Sequence, residues 1–196
     1  MNYTKFVTNA LQVNTFKKCV NNINEMFTLA KPIPIKGEVL ERVLVESYGD
    51  RICDYVEGSM EQQRDFSLVY NKNKKVRISV KSGAVIKNNL VISGSRLTKF
   101  ECMESKVEYL NNKIIDGIIS VRFVLNKQGK YQKCEFRYID SRVFQPLQAD
   151  AFTQRVKSSY ESISKNGIVT ELYPKMSWQV WYKIPLNLVP ATVIEF

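Results

Sequence analysis

The chain has 196 residues, of which 44% are hydrophobic and 24% charged. This composition excludes a disordered polypeptide and indicates a single packed domain over residues 1–196. Lysine and arginine outnumber aspartate and glutamate by 29 to 19, giving a formal net charge of +10. Such an excess favours a polyanionic partner, because binding releases counterions from phosphates, although it can also serve solubility alone.

The predicted elements begin with an amphipathic helix from Thr4 to about Ala30, which one break could divide, because apolar residues recur every three or four positions. The prolines of KPIPIKG end this helix, and a second helix is predicted from about Gly37 to Tyr48. Two alternating runs follow, from Asp65 to Tyr70 and from Val76 to Lys81. They flank the polar turn NKNK and predict a β-hairpin.

A short strand is then predicted at Leu90–Ser93, and a helix at Leu97–Leu110 with Thr98 as a candidate cap. Ile114–Leu125 and Tyr131–Ile139 flank NKQGK and predict a second hairpin.

Asp150 is predicted to cap a last helix, whose apolar stripe would be Phe152, Val156, Tyr160 and Ile163. The tail around SWQVWYKIPLNLVP is expected to be irregular strand and loop, with Trp178 and Trp181 in the core or at a dimer interface. Because hairpins exclude an all-parallel sheet, these elements predict an α/β fold with a mixed sheet flanked by helices.

The chain lacks histidine, and its four cysteines are widely spaced without a Cys-x-x-Cys pair: Cys19, Cys53, Cys102 and Cys134. Zinc is therefore not expected, and the cysteines should be reduced and mostly buried. The missing histidine also excludes Ser-His-Asp and Cys-His hydrolases, so hydrolytic chemistry would depend on carboxylates, lysine and a metal. The N-terminal residues do not form a signal peptide, and no apolar run has the length of a membrane span, which predicts a cytoplasmic protein.

The first hairpin carries the candidate chemistry. Asp65 opens its first strand, and Lys81 closes its second strand in ISVKSG. Because side chains alternate along a strand, Ser79 and Lys81 share one face, while Val80 packs behind. A hairpin brings the start of its first strand close to the end of its second, so Asp65 should lie near Ser79 and Lys81. Carboxylates suit Mg²⁺, and a nearby lysine can activate water and stabilise developing charge.

Three segments, KGEVLERVL, QRDFSLVY and VRISVKSG, resemble the PD-(D/E)XK nuclease superfamily and, within it, the type II restriction endonucleases. The resemblance covers about residues 36–95. It implies a restriction-endonuclease-like mixed β-sheet flanked by α-helices, with a catalytic core at about residues 36–125 and a C-terminal part for recognition or dimerisation. It also implies a Mg²⁺-dependent, site-specific deoxyribonuclease that hydrolyses phosphodiester bonds of double-stranded DNA. A two-fold homodimer is the simplest means of cutting both strands of a palindrome.

The resemblance also implies roles for individual residues. Asp65 binds the metal, Lys81 serves the nucleophilic water, and a helix glutamate joins the site. Glu41 is preferred to Glu38 because it lies at the border of the helix's apolar face and follows Gly37 by four residues, as in the family's Gly-x-x-x-Glu pattern. The expected metal-binding set is Asp65, Glu41 and Val80.

One position departs from the family's pattern. Ser79 replaces the second acid, and a serine hydroxyl is a poor Mg²⁺ ligand beside a carboxylate. Glu41 could supply the missing carboxylate, Glu101 or Glu104 could supply it from a later helix, or the site could be inactive.

Contacts to DNA are expected from residues that suit phosphates and base edges. The candidates are Ser82, Lys87, Asn88, Asn89, Arg96, Lys99, Arg155 and Lys157. Two alternative functions stay open at this point: a structure-selective repair or junction-resolving nuclease of the same superfamily, and a non-catalytic DNA- or RNA-binding protein.

Overall fold

A computed structural model of the chain describes residues 2–26, 34–55, 64–112, 114–155 and 159–196. The protein is a mixed α/β protein that divides into two compact units. The first unit comprises Met1–Ser82, Ile115–Ser141 and Pro190–Phe196. The second comprises Gly83–Ile114 and Arg142–Val189.

The described helices are α1 (Tyr3–Ala10), α2 (Val13–Met26), α3 (Glu38–Tyr48) and α4 (Met103–Asn111). The strands are β1 (Ile52–Tyr55), β2 (Phe66–Asn71), β3 (Lys74–Ser82), β4 (Ala84–Ile86), β5 (Asn89–Arg96), β6 (Gly117–Leu125), β7 (Tyr131–Asp140), β8 (Thr153–Gln154), β9 (Tyr160–Ile163), β10 (Val169–Tyr173), β11 (Gln179–Pro185) and β12 (Thr192–Glu195). None of these helices is long and apolar enough to cross a membrane.

The sheet of the first unit has the strand order β1-β2-β3-β6-β7-β12. Strands β3 and β6 are parallel, and every other neighbouring pair is antiparallel. The sheet is therefore mixed, and both predicted hairpins are confirmed. The parallel pairing aligns Ile78 with Gly117 and Lys81 with Ser120, which brings residues far apart in sequence onto neighbouring strands.

Helices α1, α2 and α3 cover one face of this sheet. Alternation along β3 places Val76, Ile78 and Val80 in the core with these helices, so Ser79 and Lys81 lie on the opposite face. The helices contribute apolar side chains at helical spacing, including Phe16, Val20, Leu40, Leu44 and Tyr48. Burying each such side chain contributes about 1.5–3 kcal/mol, so this core fixes where the strand ends lie relative to α3.

The start of α3 depends on Gly37. This residue has φ of 54° and ψ of −136°, a conformation that side-chain-bearing residues rarely adopt. The Gly37 carbonyl accepts the Glu41 backbone N–H at 3.1 Å, which begins the helix. Just before it, the Ile35 N–H donates to the Tyr131 hydroxyl at 2.9 Å, so the entry to α3 is fixed to β7.

The second unit contains an antiparallel sheet with the order β4-β5-β11-β10-β9-β8. One face of its central strands is buried and apolar, with Leu90, Ile92, Leu172, Val180 and Ile184. Strands β4 and β5 are joined by Lys87 and Asn88, which have φ of 46° and 61°. Two successive positive φ values are typical of the type I′ turn of a two-residue hairpin.

One helix prediction is wrong, and the start of another is misplaced. The segment after Asp150 contains β8 and β9 rather than a helix, because Tyr160 to Ile163 pair with β10; Val156 lies outside the described residues. The helix predicted at Leu97–Leu110 begins only at Met103, and its cap position is Cys102. Thr98 instead donates its hydroxyl hydrogen to the Ser177 carbonyl at 3.0 Å, a partner distant in sequence.

The remaining elements differ less between the prediction and the structure. The first helix is broken between Ala10 and Val13, and its predicted end at Ala30 lies outside the described residues. The tail holds the regular strands β11 and β12, and the sequence patterns did not reveal β1, β4 or β10.

The four cysteines are free thiols, but most of them are not buried. Cys134 alone among them is buried, whereas Cys102 is exposed and Cys19 and Cys53 are intermediate. Burial raises the pKa of the Cys134 thiol to about 12. Cys134 therefore serves as a small core residue rather than as a reactive group.

Gly117 gives a test of the packing between β6 and β7. A Cβ atom added there would collide with the ring and hydroxyl of Tyr138, whose Oη donates to the Asp116 carbonyl at 3.1 Å. We expect Gly117→Ala to lower the free energy of unfolding by about 1–3 kcal/mol, measured by urea denaturation. The exposed control Lys72→Ala should change it by less than about 0.5 kcal/mol. Equal stability of Gly117→Ala and wild type would contradict this packing.

Candidate active site

Asp65 is held against the end of β3 by three hydrogen bonds. Its backbone N–H donates to the Ile78 carbonyl at 2.7 Å, which extends the β2–β3 ladder by one residue. Its Oδ2 accepts the Ser79 hydroxyl at 3.2 Å and the Val80 backbone N–H. The other oxygen, Oδ1, accepts no hydrogen bond from the described residues and is available for a ligand.

Ser79, at the second-acid position, is buried, with 4% of its surface exposed. Its hydroxyl donates to Asp65, so the residue orients that carboxylate and adds no charge of its own. The Val80 side chain is 5% exposed and lies in the apolar core, so only the main chain of Val80 can take part in the site.

Lys81 is half-buried and lies on the same face of β3 as Ser79. Its register partner on β6 is Ser120, a residue that the sequence patterns did not single out. Ser120 is 1% exposed, and its Oγ has no hydrogen-bond partner among the described residues. A buried hydroxyl without a partner costs free energy, and such a group is often found where a ligand or water completes the hydrogen bonding.

Glu41 joins this group from the first turn of α3. Burial raises the pKa of its carboxyl above the ordinary value of 4.5, the negative charge of Asp65 raises it further, and the positive charge of Lys81 lowers it in part. Asp65 and Lys81 therefore each lie within electrostatic reach of Glu41. Glu38, in contrast, is exposed and pairs with Arg42 at 2.7 Å on the same helix.

The acids of this group fit a divalent cation in their chemistry. Two carboxylates whose charges repel each other offer hard oxygen ligands, and a cation bound to both would relieve the repulsion. Within the described ranges, no cluster of three or more acidic or cysteine side chains is arranged to hold a metal ion. Mg²⁺ commonly uses one or two carboxylates and completes its coordination with water and substrate phosphate, so two acids are sufficient in number.

Glu101 and Glu104, the alternative acids, both belong to the second unit and have exposed side chains. Glu104 lies in the first turn of α4, where hydrogen bonds from its own backbone N–H and from the Cys102 side chain lower the pKa of its carboxyl. Its surroundings are those of an ordinary residue at the start of a helix.

The predicted DNA contacts fall in both units. Ser82 is exposed at the end of β3 in the first unit. In the second unit, Lys87 and Asn88 are exposed in the β4–β5 turn, and the Asn89 side chain donates to the Lys87 carbonyl at 3.0 Å. Arg96 is exposed, and its Nε donates to the Gln179 side chain at 3.3 Å.

The remaining three DNA candidates differ in availability. The Lys99 ammonium lies 5.4 and 5.5 Å from the ring centroids of Phe100 and Tyr109 and is exposed to solvent. Arg155 forms an ion pair with the nearly buried Glu161 at 2.5 Å, which engages its guanidinium. Lys157 lies outside the described residues.

The raised pKa of Glu41 predicts a measurable effect on stability. A carboxyl whose pKa is higher in the folded state stabilises the fold while it is protonated, and this contribution is lost as pH rises through the folded pKa. Above its folded pKa and without metal, the ionised Glu41 is therefore destabilising. We expect Glu41→Gln to increase the free energy of unfolding at pH 7 in EDTA, and the gain over wild type to shrink as pH falls through the raised pKa of Glu41 and to vanish below its ordinary value of 4.5.

The matched control for this measurement is Glu38→Gln on the same helix. It removes an exposed pair with Arg42 and should lower stability by about 0.3–0.5 kcal/mol at most. Urea denaturation at a series of pH values measures both variants. A Glu41→Gln protein that is less stable than wild type at pH 7 would show that Glu41 is not under electrostatic strain.

No protein-family model, curated protein or solved structure matches this chain. The site combines an aspartate fixed by hydrogen bonds, a half-buried glutamate of raised pKa and a lysine at the end of β3.

Proposed function

We propose that this protein is a Mg²⁺-dependent endonuclease that hydrolyses phosphodiester bonds of double-stranded DNA, acting as a type II restriction enzyme. The observation that supports it most is the grouping of Asp65, Glu41 and Lys81 at one end of the β2–β3 hairpin. The mixed sheet of the first unit, covered on one face by helices, supports the proposal, because the resemblance implies a mixed β-sheet flanked by α-helices.

In this proposal Asp65 and Glu41 hold the metal ion, together with the main chain at Val80. When bound, Mg²⁺ supplies positive charge to the phosphate and lowers the pKa of a coordinated water. Ser79 keeps the Asp65 carboxylate in one orientation through its hydroxyl. The Lys81 ammonium orients the attacking water and stabilises the negative charge that develops on the phosphate oxygens.

The net charge of +10 supports a nucleic-acid substrate, because each phosphate neutralised by lysine or arginine releases counterions. Ser82, Lys87, Asn88, Asn89, Arg96, Lys99, Arg155 and Lys157 are the proposed DNA contacts. Cutting of both strands at a two-fold site would require a homodimer, so dimerisation is part of the same proposal.

A second candidate function is non-catalytic nucleic-acid binding. The observation that favours it is the buried Ser79 at the second-acid position, since a hydroxyl adds no negative charge for a metal. A structure-selective repair or junction-resolving nuclease would use the same residues as the restriction enzyme and differ only in its preferred DNA.

Cleavage of plasmid DNA with Mg²⁺ tests the proposal. We expect discrete fragments from the wild type, and Asp65→Asn and Lys81→Ala should each lower the cleavage rate by about 100-fold or more, because each removes a charge that acts on the transition state. Glu41→Gln should also lower the rate, whereas the matched controls Glu38→Gln and Lys72→Ala should cleave like the wild type.

The outcomes separate the alternatives. Preferential cutting of branched over linear duplexes would indicate the structure-selective nuclease. DNA binding without cleavage under any divalent metal would replace the nuclease with the binding protein. Full activity of Asp65→Asn would exclude the proposed site even if the protein cuts DNA.

A further inference from the structure

The second unit has a cavity of about 500 Å³ on one face of its sheet. Because side chains alternate along β5, β10 and β11, Leu90, Leu172 and Ile184 lie on the buried face of the sheet. The cavity lies on the other face. Six of the residues that line it are Asn89, Glu171, Tyr173, Met176, Trp181 and Lys183. Its volume falls within the range of about 300–1,000 Å³ that is common for small-molecule sites.

Several large apolar side chains of the cavity wall are partly exposed. Trp181 on β11 is half-buried and aligned with Glu171 on β10, and Tyr173 lies two residues beyond Glu171 on the same face. Ile86 and Met176, which also line the cavity, are 54% and 52% exposed. Large side chains that remain in solvent around a concave surface often mark a binding site, and an indole presents a flat surface for stacking.

Two charged side chains of the cavity, Glu171 and Lys183, form an ion pair. Glu171 is only 6% exposed, and its Oε1 accepts from the Lys183 ammonium at 2.6 Å while its Oε2 accepts from the Tyr173 hydroxyl at 3.1 Å. The ion pair presents an acceptor and a donor side by side with little net charge. A flat ligand that carries a donor next to an acceptor would complement both groups.

We propose that this cavity binds a nucleobase with an exocyclic amino group, stacked on Trp181, with its amino group donating to Glu171 and its neighbouring ring acceptor facing Lys183. Adenine and cytosine present such an edge, and a carboxylate that accepts from the cytosine amino group is a known means of reading that base. Thymine has no amino group and places carbonyls beside its only ring N–H. Lys87, at the edge of the cavity, can contact the attached phosphate.

The inference rests on the proposed function for the identification of the nucleic acid as DNA, but it uses different residues from the metal site. Aromatic stacking is tolerant of sequence, whereas the Glu171 carboxylate selects for a donor. The cavity would thus add base selectivity to a protein whose remaining DNA candidates are mostly suited to phosphates.

The two tryptophans allow a direct test, because the chain contains only Trp178 and Trp181. Protein labelled with 5-fluorotryptophan gives two ¹⁹F resonances, which Trp181→Phe assigns. The full chain is titrated in EDTA, so that no cleavage occurs, with dAMP, dCMP, dTMP or deoxyribose 5-phosphate. We expect dAMP or dCMP to shift the Trp181 resonance, dTMP to bind about tenfold more weakly, and deoxyribose 5-phosphate to leave the resonance unchanged.

Glu171→Gln should weaken binding of the amino-bearing nucleotide about tenfold. The matched control is Glu161→Gln, because Glu161 is also nearly buried, is aligned with Glu171 on the neighbouring strand, and pairs with Arg155 outside the cavity lining. If either variant fails to keep the wild-type ¹⁹F spectrum, the comparison of dAMP, dCMP and dTMP on the wild type decides the question.

No shift of the Trp181 resonance, an equal response to dTMP, or an equal response to deoxyribose 5-phosphate would overturn the inference. A shift that depends only on protein concentration would overturn it in favour of self-association through this face. Asp65→Asn should bind the nucleotides like the wild type, so failure of the cavity and failure of the nuclease proposal give different results.

Discussion

The carboxylate of Asp65 connects the two strands on which the proposed site depends. It accepts hydrogen bonds from the Ser79 hydroxyl and the Val80 backbone N–H, while its own N–H donates to Ile78. The apolar side chains of β3 are buried beneath α3, so the strand end cannot shift without exposing Ile78 and Val80. The position of Asp65, and with it the distance to Lys81 and Glu41, therefore follows from core packing and a few backbone bonds.

The same arrangement includes an electrostatic repulsion that destabilises the folded protein. Glu41 is partly buried and faces the charge of Asp65, and both effects raise the pKa of its carboxyl. Ser120, beside Lys81, keeps a buried hydroxyl without a partner among the residues that the structure describes. A bound cation would offset the repulsion between the two carboxylates, and a ligand or a water would complete the hydrogen bonding of the Ser120 hydroxyl.

Local sequence patterns were sufficient to predict the β2–β3 hairpin and the less exposed position of Glu41. Alternation in β2 and β3 predicted that Asp65 approaches Ser79, and the border position of Glu41 on α3 distinguished it from the exposed Glu38. Pairing between strands that are distant in sequence could not be predicted from such local patterns. Ser120 reaches Lys81 only through the parallel β3–β6 ladder, and Tyr160 to Ile163 mimic a helical stripe although they pair with β10. The cavity beside Trp181 likewise forms from strands that are distant in sequence, so no local sequence motif indicated it.

The most direct test of the proposed metal site is to locate the metal by anomalous diffraction from crystals of the protein soaked with Mn²⁺, which takes the same oxygen ligands as Mg²⁺. We expect an anomalous peak within coordination distance of the carboxylates of Asp65 and Glu41, and loss of that peak in Asp65→Asn. A peak bound elsewhere, or no peak in crystals whose protein cleaves DNA with Mn²⁺ in solution, would contradict it.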